Sequence, residues 1–338
     1  MKARKLKSGR YNVQVYIGTD ANGKKRYKSV TADTKAEALR IASAYDTSVS
    51  DITVGMLIDR YLTLKKAVLS PTTYRSYKGI YETNIKNNPI ASVKVHALNS
   101  TIVQRWVSEV AITHTPKTVK NYYGLLTAAV KMHQPGKAFS VKLPQEKPKK
   151  LHTPTTAEVN TVLALAKETR PELYKAILLG AIGMMRRGEI AALTAEDCDF
   201  KKNTIRITKA QVKTEDNKHI NKQPKTDASV RVIAMPQFVM DALPKEGPIV
   251  GINATQITNQ FIDLMENADL PHFRFHDLRH YAASIAASSS VGASVESIKA
   301  RGGWSTDAMM KRVYINQLED EVHKDSEKIL DYYKQNVH

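Results

Sequence analysis

The stretch 275–284 reads FHDLRHYAAS and brings two histidines and an arginine into five residues. On a helix, His276, Arg279 and His280 have the spacing i, i+3 and i+4, so their side chains leave from one face. Such a face could bind a metal ion, bind an anion or simply meet solvent. Zinc is disfavoured, because Arg279 would bring a fixed positive charge to the ion and the chain has a single cysteine to offer as a ligand. The sequence therefore predicts no metal site here.

The chain as a whole is strongly basic. Its 338 residues include 51 Lys and Arg against 33 Asp and Glu, a formal net charge of +18. An excess of this size indicates a polyanionic partner, and nucleic acid is the usual one. An anionic membrane surface is the alternative, although the sequence has no lipidation motif and no apolar run long enough to cross a bilayer. A single cysteine and a basic N-terminus without an apolar core after it predict a cytoplasmic protein.

Residues 1–50 are predicted to form a small basic unit, with eleven Lys and Arg against four acidic residues. Apolar and polar residues alternate over 11–17 as in a half-buried strand, Asn22-Gly23 predicts a tight turn, and Thr34 a helix start. A narrow basic sheet can enter a DNA major groove, whereas the alternative is a solvated basic tail that happens to fold. The candidate DNA contacts in this unit are Lys5, Arg10, Lys25, Arg26 and Lys28.

Residues 51–135 are predicted to be helical and contain two near-copies of one helix start. SPTT at 70–73 and TPKT at 115–118 each place a hydroxyl N-cap before a proline at the first helical position. Helix N-termini with such side chains are suited to phosphate, although ordinary capped helices would have the same sequence. The candidate DNA contacts here are Thr72, Thr73, Lys117, Thr118 and Lys120. The stretch 136–153, rich in Pro and Lys, is predicted to be a basic linker.

The C-terminal part carries five short motifs. It begins with a helix start at 155–158, continues with a predicted helical hairpin around RRGE, and has predicted strands at 203–212 and 229–236. The motifs are RRGE at 186–189, PKTDAS at 224–229, HDLR at 276–279, GGW at 302–304 and KRVYIN at 311–316. In order and type they resemble the tyrosine recombinase family of phage and conjugative-transposon integrases, and the resemblance covers nearly the whole chain.

The resemblance implies an α+β, multidomain fold. An N-terminal three-stranded sheet plus a helix would form an arm-type DNA-binding domain at 1–50, followed by a helical core-binding domain at 51–135 and the linker at 136–153. A mostly helical catalytic domain with a small antiparallel sheet would occupy 154–316. The tail at 317–338 would pack on a neighbouring protomer, with packing against its own chain as the alternative.

The resemblance also implies a role for each residue of the motifs, and transesterification explains the residue types. Tyr314 would attack the scissile phosphate and hold the strand as a 3′-phosphotyrosine. Arg186 and Arg279 would each direct two N–H donors onto nonbridging oxygens. Lys225 would protonate the departing 5′ oxygen, and His276, with an ordinary pKa near 6.5, would exchange the tyrosine proton.

Three further residues would support this set. Trp304 would donate its indole N–H to the phosphate and pack against the helix of the nucleophile. Glu189 lies one helical turn after Arg186 and would orient its guanidinium, and His280 would pack in the helix or assist in binding phosphate. The alternatives left open are Arg187 in place of Arg186, and Lys213 or Lys222 in place of Lys225.

The predicted function is that of a site-specific DNA recombinase, which integrates or excises a phage or mobile element through a Holliday junction. By resemblance it would act as a homotetramer on paired double-stranded DNA sites in the nucleoid, with an excisionase and a host DNA-bending protein as further candidate partners. No metal or ATP is expected, because the phosphotyrosine stores the energy of the phosphodiester. The alternatives are a type IB topoisomerase-like enzyme and a non-catalytic DNA-binding regulator.

Overall fold

The computed structural model describes residues 2–19, 25–44, 52–146, 152–223, 230–288 and 290–304. The chain divides into two compact units, Met1–Pro148 and Lys149–His338. An N-terminal three-stranded antiparallel sheet, many helices and two small sheets confirm the predicted α+β class. Within the described ranges, no helix combines the length and apolar character needed to cross a membrane. Lys225, Tyr314 and the tail at 317–338 lie outside the described residues.

The first unit begins with the sheet, in the order β1 (Arg4–Lys5), β2 (Tyr11–Thr19) and β3 (Lys25–Ala32), followed by α1 (Lys35–Ala44). Alternation along the strands turns small apolar residues towards the helix, where they are buried. This cluster consists of Val13, Val15, Val30, Ala32, Ala38 and Ala42. The strand prediction at 11–17 is therefore confirmed, while the turn Asn22-Gly23 lies outside the described residues.

The rest of the first unit is helical. Its helices are α2 (Val54–Lys65), α3 (Pro71–Ile80), α4 (Ser100–Thr113) and α5 (Pro116–His133), and α3 continues into a π-helical turn at Tyr81–Ile85. Both predicted helix starts are present, because the Ser70 hydroxyl accepts from the Thr73 N–H and the Thr115 hydroxyl from the Thr118 N–H. The four helices surround a core of their own that includes Leu57.

The second unit has seven α-helices, one 3-10 turn and five strands in its described part. The helices are α6 (Thr156–Thr169), α7 (Pro171–Ala181), α8 (Arg187–Ile190), α9 (Gln237–Asp241), α10 (Ala254–Glu266), α11 (Asp277–Ala287) and α12 (Val295–Gly302), with a 3-10 turn at Ala195–Asp197. The strands are β4 (Cys198–Asp199), β5 (Thr204–Ile207), β6 (Ala210–Lys213), β7 (His219–Lys222) and β8 (Arg231–Ala234). Helix α6 begins with the predicted capping box between Thr155 and Glu158.

The strands of this unit are divided between two small sheets. Strands β4, β5 and β8 form an antiparallel sheet, and β6 pairs with β7 as a separate hairpin. The predicted single strand at 203–212 therefore contains parts of β5 and β6, which lie in different sheets. Buried residues of α6, α7, α10 and α11 pack with the inner face of β5 and β8 to form the main core.

The predicted helical hairpin around RRGE is shorter than expected. Helix α7 ends at Ala181, and α8 is a single turn. Between them Met184 has a φ of +52°, a left-handed conformation that a side chain with a Cβ rarely adopts and that ends a right-handed helix. The chain thus changes direction immediately before Arg186, which becomes the N-cap of α8.

Candidate active site

Three segments of the second unit bring the described motif residues to one place. They are the turn between α7 and α8, the first turns of α11, and the end of α12. Hydrogen bonds and ring contacts join these three segments. The motif residues within the described ranges are Arg186, Glu189, His276, Arg279, His280 and Trp304.

Arg279 is the most deeply buried of these residues, with 1% of its surface exposed. Its Nη1 donates to the carbonyl of Met184, and its guanidinium lies 4.1 Å from the centre of the Trp304 ring. Its Nε and Nη2 are buried and have no hydrogen-bond partner within the described part of the chain. Burial, followed by the charge of Arg186, lowers the pKa of Arg279 to about 9, which leaves it protonated at neutral pH. Two N–H donors of a buried cation are therefore available to an anion.

Arg186 lies beside this cation and reaches solvent, with 37% of its side chain exposed. Its Nη1 donates to Glu189 Oε1 at 2.7 Å, and its Nη2 donates to the carbonyl of Gly303 at 2.8 Å. Its backbone N–H donates to the second oxygen of Glu189. Glu189 thus holds both the main chain and the side chain of Arg186, in agreement with the position expected from the RRGE spacing.

Glu189 has a second arginine partner that the sequence analysis missed. Arg231, on β8, donates from Nη2 to Glu189 Oε2 at 2.8 Å and from Nη1 to Oε1 at 3.2 Å. Burial alone would raise the pKa of Glu189, but the bonds from Arg231 and Arg186 outweigh it and hold the pKa below its usual range. The strand pattern contained a signal, because Arg231 shares the buried face of β8 with Ile233, and a buried cation requires a partner.

His276 precedes α11 and keeps contact with solvent. Its pKa is lowered to about 4, first because surrounding protein atoms desolvate the ring and then because of the charges of His280 and Arg279. The charge of Asp277 acts in the opposite direction and raises the pKa. This pKa is well below the ordinary value near 6.5 on which the sequence prediction relied. The imidazole is therefore neutral at physiological pH and able to accept a proton. The His280 ring meets it edge to face, with 5.2 Å between the ring centres.

The ring face of Trp304 packs against the guanidinium of Arg279. The residue is 8% exposed and packs in a small cluster with Met184, Ala283 and other residues of α11 and α12. A Cβ on Gly302 would lie 2.4 Å from the Trp304 ring, closer than two carbon atoms can approach. The indole can take this position because residue 302 is glycine. The sequence analysis anticipated an indole donor, and the contact found is the ring face against a cation.

The structure also locates the residues that were alternatives to Arg186 and Lys225. Arg187 is exposed and donates to the hydroxyl of Thr258 on α10, away from the Gly303 and Met184 carbonyls. Lys213 and Lys222 lie at the end of β6 and of β7 and are half-buried. Lys225, the predicted acid, and Tyr314, the predicted nucleophile, fall outside the described residues.

The candidate DNA contacts of the first unit lie in or beside the sheet and at two helix starts. On the sheet, Arg10 is paired with Asp33 at 2.8 Å while remaining largely exposed. At the helix starts, the hydroxyls of Thr73 and Thr118 contact their N-cap residues at 2.8 and 3.0 Å. The candidates with exposed side chains are Lys5, Arg10, Lys25, Arg26, Lys28, Thr72, Lys117 and Lys120.

A metal site receives no support from the described residues. Among them, no group of three or more His, Cys, Asp or Glu side chains is arranged to hold an ion.

Known proteins resemble this chain in sequence. The model of the phage integrase family matches residues 154–321. A tyrosine recombinase XerC-like protein of Caldanaerobacter subterraneus subsp. tengcongensis is 26% identical over 345 residues, which covers 84% of this chain and 88% of that protein. A putative prophage phiRv2 integrase of Mycobacterium tuberculosis is 25% identical over 270 residues, covering 72% and 69%.

Solved structures share the fold. The Tn1549 transposon integrase in complex with a circular intermediate DNA has a TM-score of 0.67 at 15% identity, covering 81% of this chain and 99% of that one. A lambda integrase tetramer bound to a Holliday junction has a TM-score of 0.59 at 13% identity, covering 92% and 94%. These structures show the fold, and the family match with the two related sequences shows that the chain belongs to the tyrosine recombinase family of phage integrases.

Proposed function

We propose that this protein is a site-specific DNA recombinase that integrates or excises a phage or mobile element. Its reaction breaks and rejoins strands through a 3′-phosphotyrosine and passes through a Holliday junction. The observation that carries the proposal is Arg279, a buried guanidinium with two donors that lack a partner in the described chain, beside the accessible Arg186. A DNA phosphate supplies the negative charge and the acceptor oxygens that such a pair requires.

The two arginines are suited to stabilise the transition state. Each is fixed through one guanidinium nitrogen to a backbone carbonyl, Arg279 to Met184 and Arg186 to Gly303. Anchored donors need little reorganisation when charge develops on the nonbridging oxygens of the phosphate. Trp304, packed against Arg279, limits the positions that this guanidinium can take.

The proton transfers are assigned to the remaining motif residues. The phenol oxygen of Tyr314 attacks phosphorus, the bond to the 5′ oxygen breaks, and the strand is held as a phosphotyrosine. The neutral imidazole of His276 accepts the phenol proton, and Lys225 gives a proton to the departing 5′ oxygen. Rejoining reverses these steps, so the bonds broken and formed balance without ATP, and cationic side chains take the place of a metal.

DNA is the partner of this chain, and its net charge of +18 suits a duplex. We further propose that residues 1–50 bind arm-type sites, residues 51–135 bind core sites and residues 154–316 carry out catalysis. A linker at 136–153 joins the second domain to the third. The lambda integrase crystal structure contains a tetramer on a Holliday junction, which supports a homotetramer on paired sites, with 317–338 packing between protomers. An excisionase and a host DNA-bending protein remain proposed partners.

The test is a nicked duplex that loses its free 5′ end after cleavage and traps the covalent adduct. Its sequence comes from recombination junctions recovered from cells. In EDTA, the protein should form an adduct on this substrate, and Tyr314→Phe should form none, while both proteins bind the duplex equally. An adduct in Tyr314→Phe would remove the nucleophile assignment. Tight binding without any adduct would favour a non-catalytic regulator, and relaxation of plasmids lacking paired sites would favour a topoisomerase.

A further inference from the structure

Arg231 lies outside the six predicted catalytic residues and is nevertheless connected to their geometry. It is 8% exposed and stands at the start of β8. Its Nη1 and Nη2 donate to the two oxygens of Glu189, and its Nε donates to the carbonyl of Arg301 at 2.7 Å. The planar guanidinium therefore joins the carboxylate of RRGE to the last turn of α12.

One of these acceptors, Glu189, also holds Arg186, and the other lies two residues before a second acceptor of Arg186. The side chain of Arg186 donates to Glu189 and to the carbonyl of Gly303. Arg231 holds Glu189 directly, and it holds the helix end before Gly303 through the Arg301 carbonyl. The guanidinium of Arg186 thus binds one group that Arg231 contacts directly, Glu189, and a second, the Gly303 carbonyl, two residues from the carbonyl that Arg231 contacts.

The charge balance at Glu189 also depends on Arg231. Glu189 is 4% exposed, and desolvation of that degree favours a protonated carboxyl. Arg231 is the first of the groups that oppose this effect, ahead of Arg186. Without Arg231, the carboxyl would take up a proton at a higher pH, and a protonated Glu189 holds the guanidinium of Arg186 less firmly.

We propose that Arg231 is a positioning residue for strand cleavage, which acts by holding Glu189 and the end of α12 so that Arg186, which donates to Glu189 and to Gly303, is fixed at the scissile phosphate. This inference rests on the proposed function of the site. A buried ion pair that only stabilises the fold is the competing explanation, and the two differ in their effect on the rate and pH dependence of cleavage by folded protein.

The experiment compares single-turnover cleavage of the nicked duplex by Arg231→Met and Arg231→Lys, at a temperature at which circular dichroism shows each variant folded. Arg231→Met should cleave about 10²-fold more slowly, as expected for a misplaced catalytic group. Its rate should fall further as the pH is lowered through a range in which the unaltered protein is constant. Arg231→Lys retains the charge without the planar fork, so it should keep the flat pH profile and recover part of the rate.

Two further variants serve as controls. Glu189→Gln/Arg231→Met has no carboxyl to titrate and should cleave slowly with a flat pH profile. Arg170→Met removes another arginine, which donates to the Gln260 carbonyl far from the site, and should leave the cleavage rate unchanged whatever its stability. A normal rate and a flat profile in Arg231→Met, with only a lower melting temperature, would overturn the inference. Failure of the unaltered protein to form any adduct would instead overturn the proposed function.

Discussion

Arg279→Met tests whether the site is built around an unsatisfied cation. The substitution removes a side chain that is 1% exposed and replaces it with an apolar one of similar length. Loss of a buried arginine is ordinarily damaging, because its partner is left as an uncompensated charge. Here the Nε and Nη2 donors have no partner in the described part of the chain, so the usual loss should be largely absent.

The opposing contributions are of similar size. Each buried donor without a partner costs about 1–3 kcal/mol, so removing two should stabilise the DNA-free protein by about 2–6 kcal/mol. Against this stand the hydrogen bond to the Met184 carbonyl, about 1.5–3 kcal/mol for a charged donor, and the contact with the Trp304 ring, about 1–2 kcal/mol. The two sides nearly cancel, and the free energy of unfolding should change by less than about 1 kcal/mol.

Arg231→Met is the matched control, because it removes another buried arginine whose Nε, Nη1 and Nη2 each donate a hydrogen bond. Breaking a buried pair of this kind costs about 3–5 kcal/mol. For a domain of roughly 150–250 residues, each kcal/mol shifts the melting temperature by about 2–4 °C. Scanning calorimetry should therefore place the transition of Arg231→Met at least about 4 °C below that of Arg279→Met.

A second comparison tests whether DNA satisfies the two donors of Arg279. In a Tyr314→Phe background, which prevents cleavage, bound duplex should raise the melting temperature less when residue 279 is Met than when it is Arg. The reason is that a phosphate satisfies the two free donors of Arg279 only in the complex. The reasoning is refuted if Arg279→Met destabilises the DNA-free protein as strongly as Arg231→Met does, since the donors would then have partners.

Three further predictions concern the surroundings of this cation. NMR titration of the DNA-free protein should give His276 a pKa near 4, because desolvation by surrounding protein atoms and then the His280 charge lower it, and His280→Ala should raise it; a value of 6.5 or above contradicts this. Lys117→Ala should weaken duplex binding in fluorescence anisotropy and reduce the slope of log affinity against log salt by about 1; an unchanged slope removes Lys117 from the interface. Gly302→Leu should displace the Trp304 ring and slow cleavage about 10²-fold, and adding Trp304→His should recover part of the rate, because a smaller ring makes room for the Cβ.

The helix starts could be predicted because their signals are local. The hydroxyls of Ser70 and Thr115 accept from N–H groups three residues later, and Thr155 forms a capping box with Glu158. No such local signal divides 203–212 between two sheets. The division depends on the pairing of β5 with β8 and of β6 with β7, which residues further along the chain determine.

The spacing of HDLR was sufficient to predict that His276, Arg279 and His280 share one end of α11. It could not identify the partner of each guanidinium, because the carbonyls that hold Arg279 and Arg186 are 95 and 117 residues away in sequence. The contact of Arg279 with the Trp304 ring has the same long-range origin. Spacing therefore identifies the residues of such a site, and packing between distant segments determines how they are held.

The contacts of Arg186, Arg279 and Trp304 link the three residues to one another. Arg279 donates to the carbonyl of Met184 in the turn that carries Arg186, and Arg186 donates to the carbonyl of Gly303 in the turn that carries Trp304. The Trp304 ring in turn packs against Arg279. Met184 and Gly303 both have a positive φ, at 52° and 65°, and for Met184 this conformation costs about 1–3 kcal/mol. Because each turn carries one member of this set of contacts and holds another, the two guanidinium groups are positioned together, and these contacts must offset the strain at Met184.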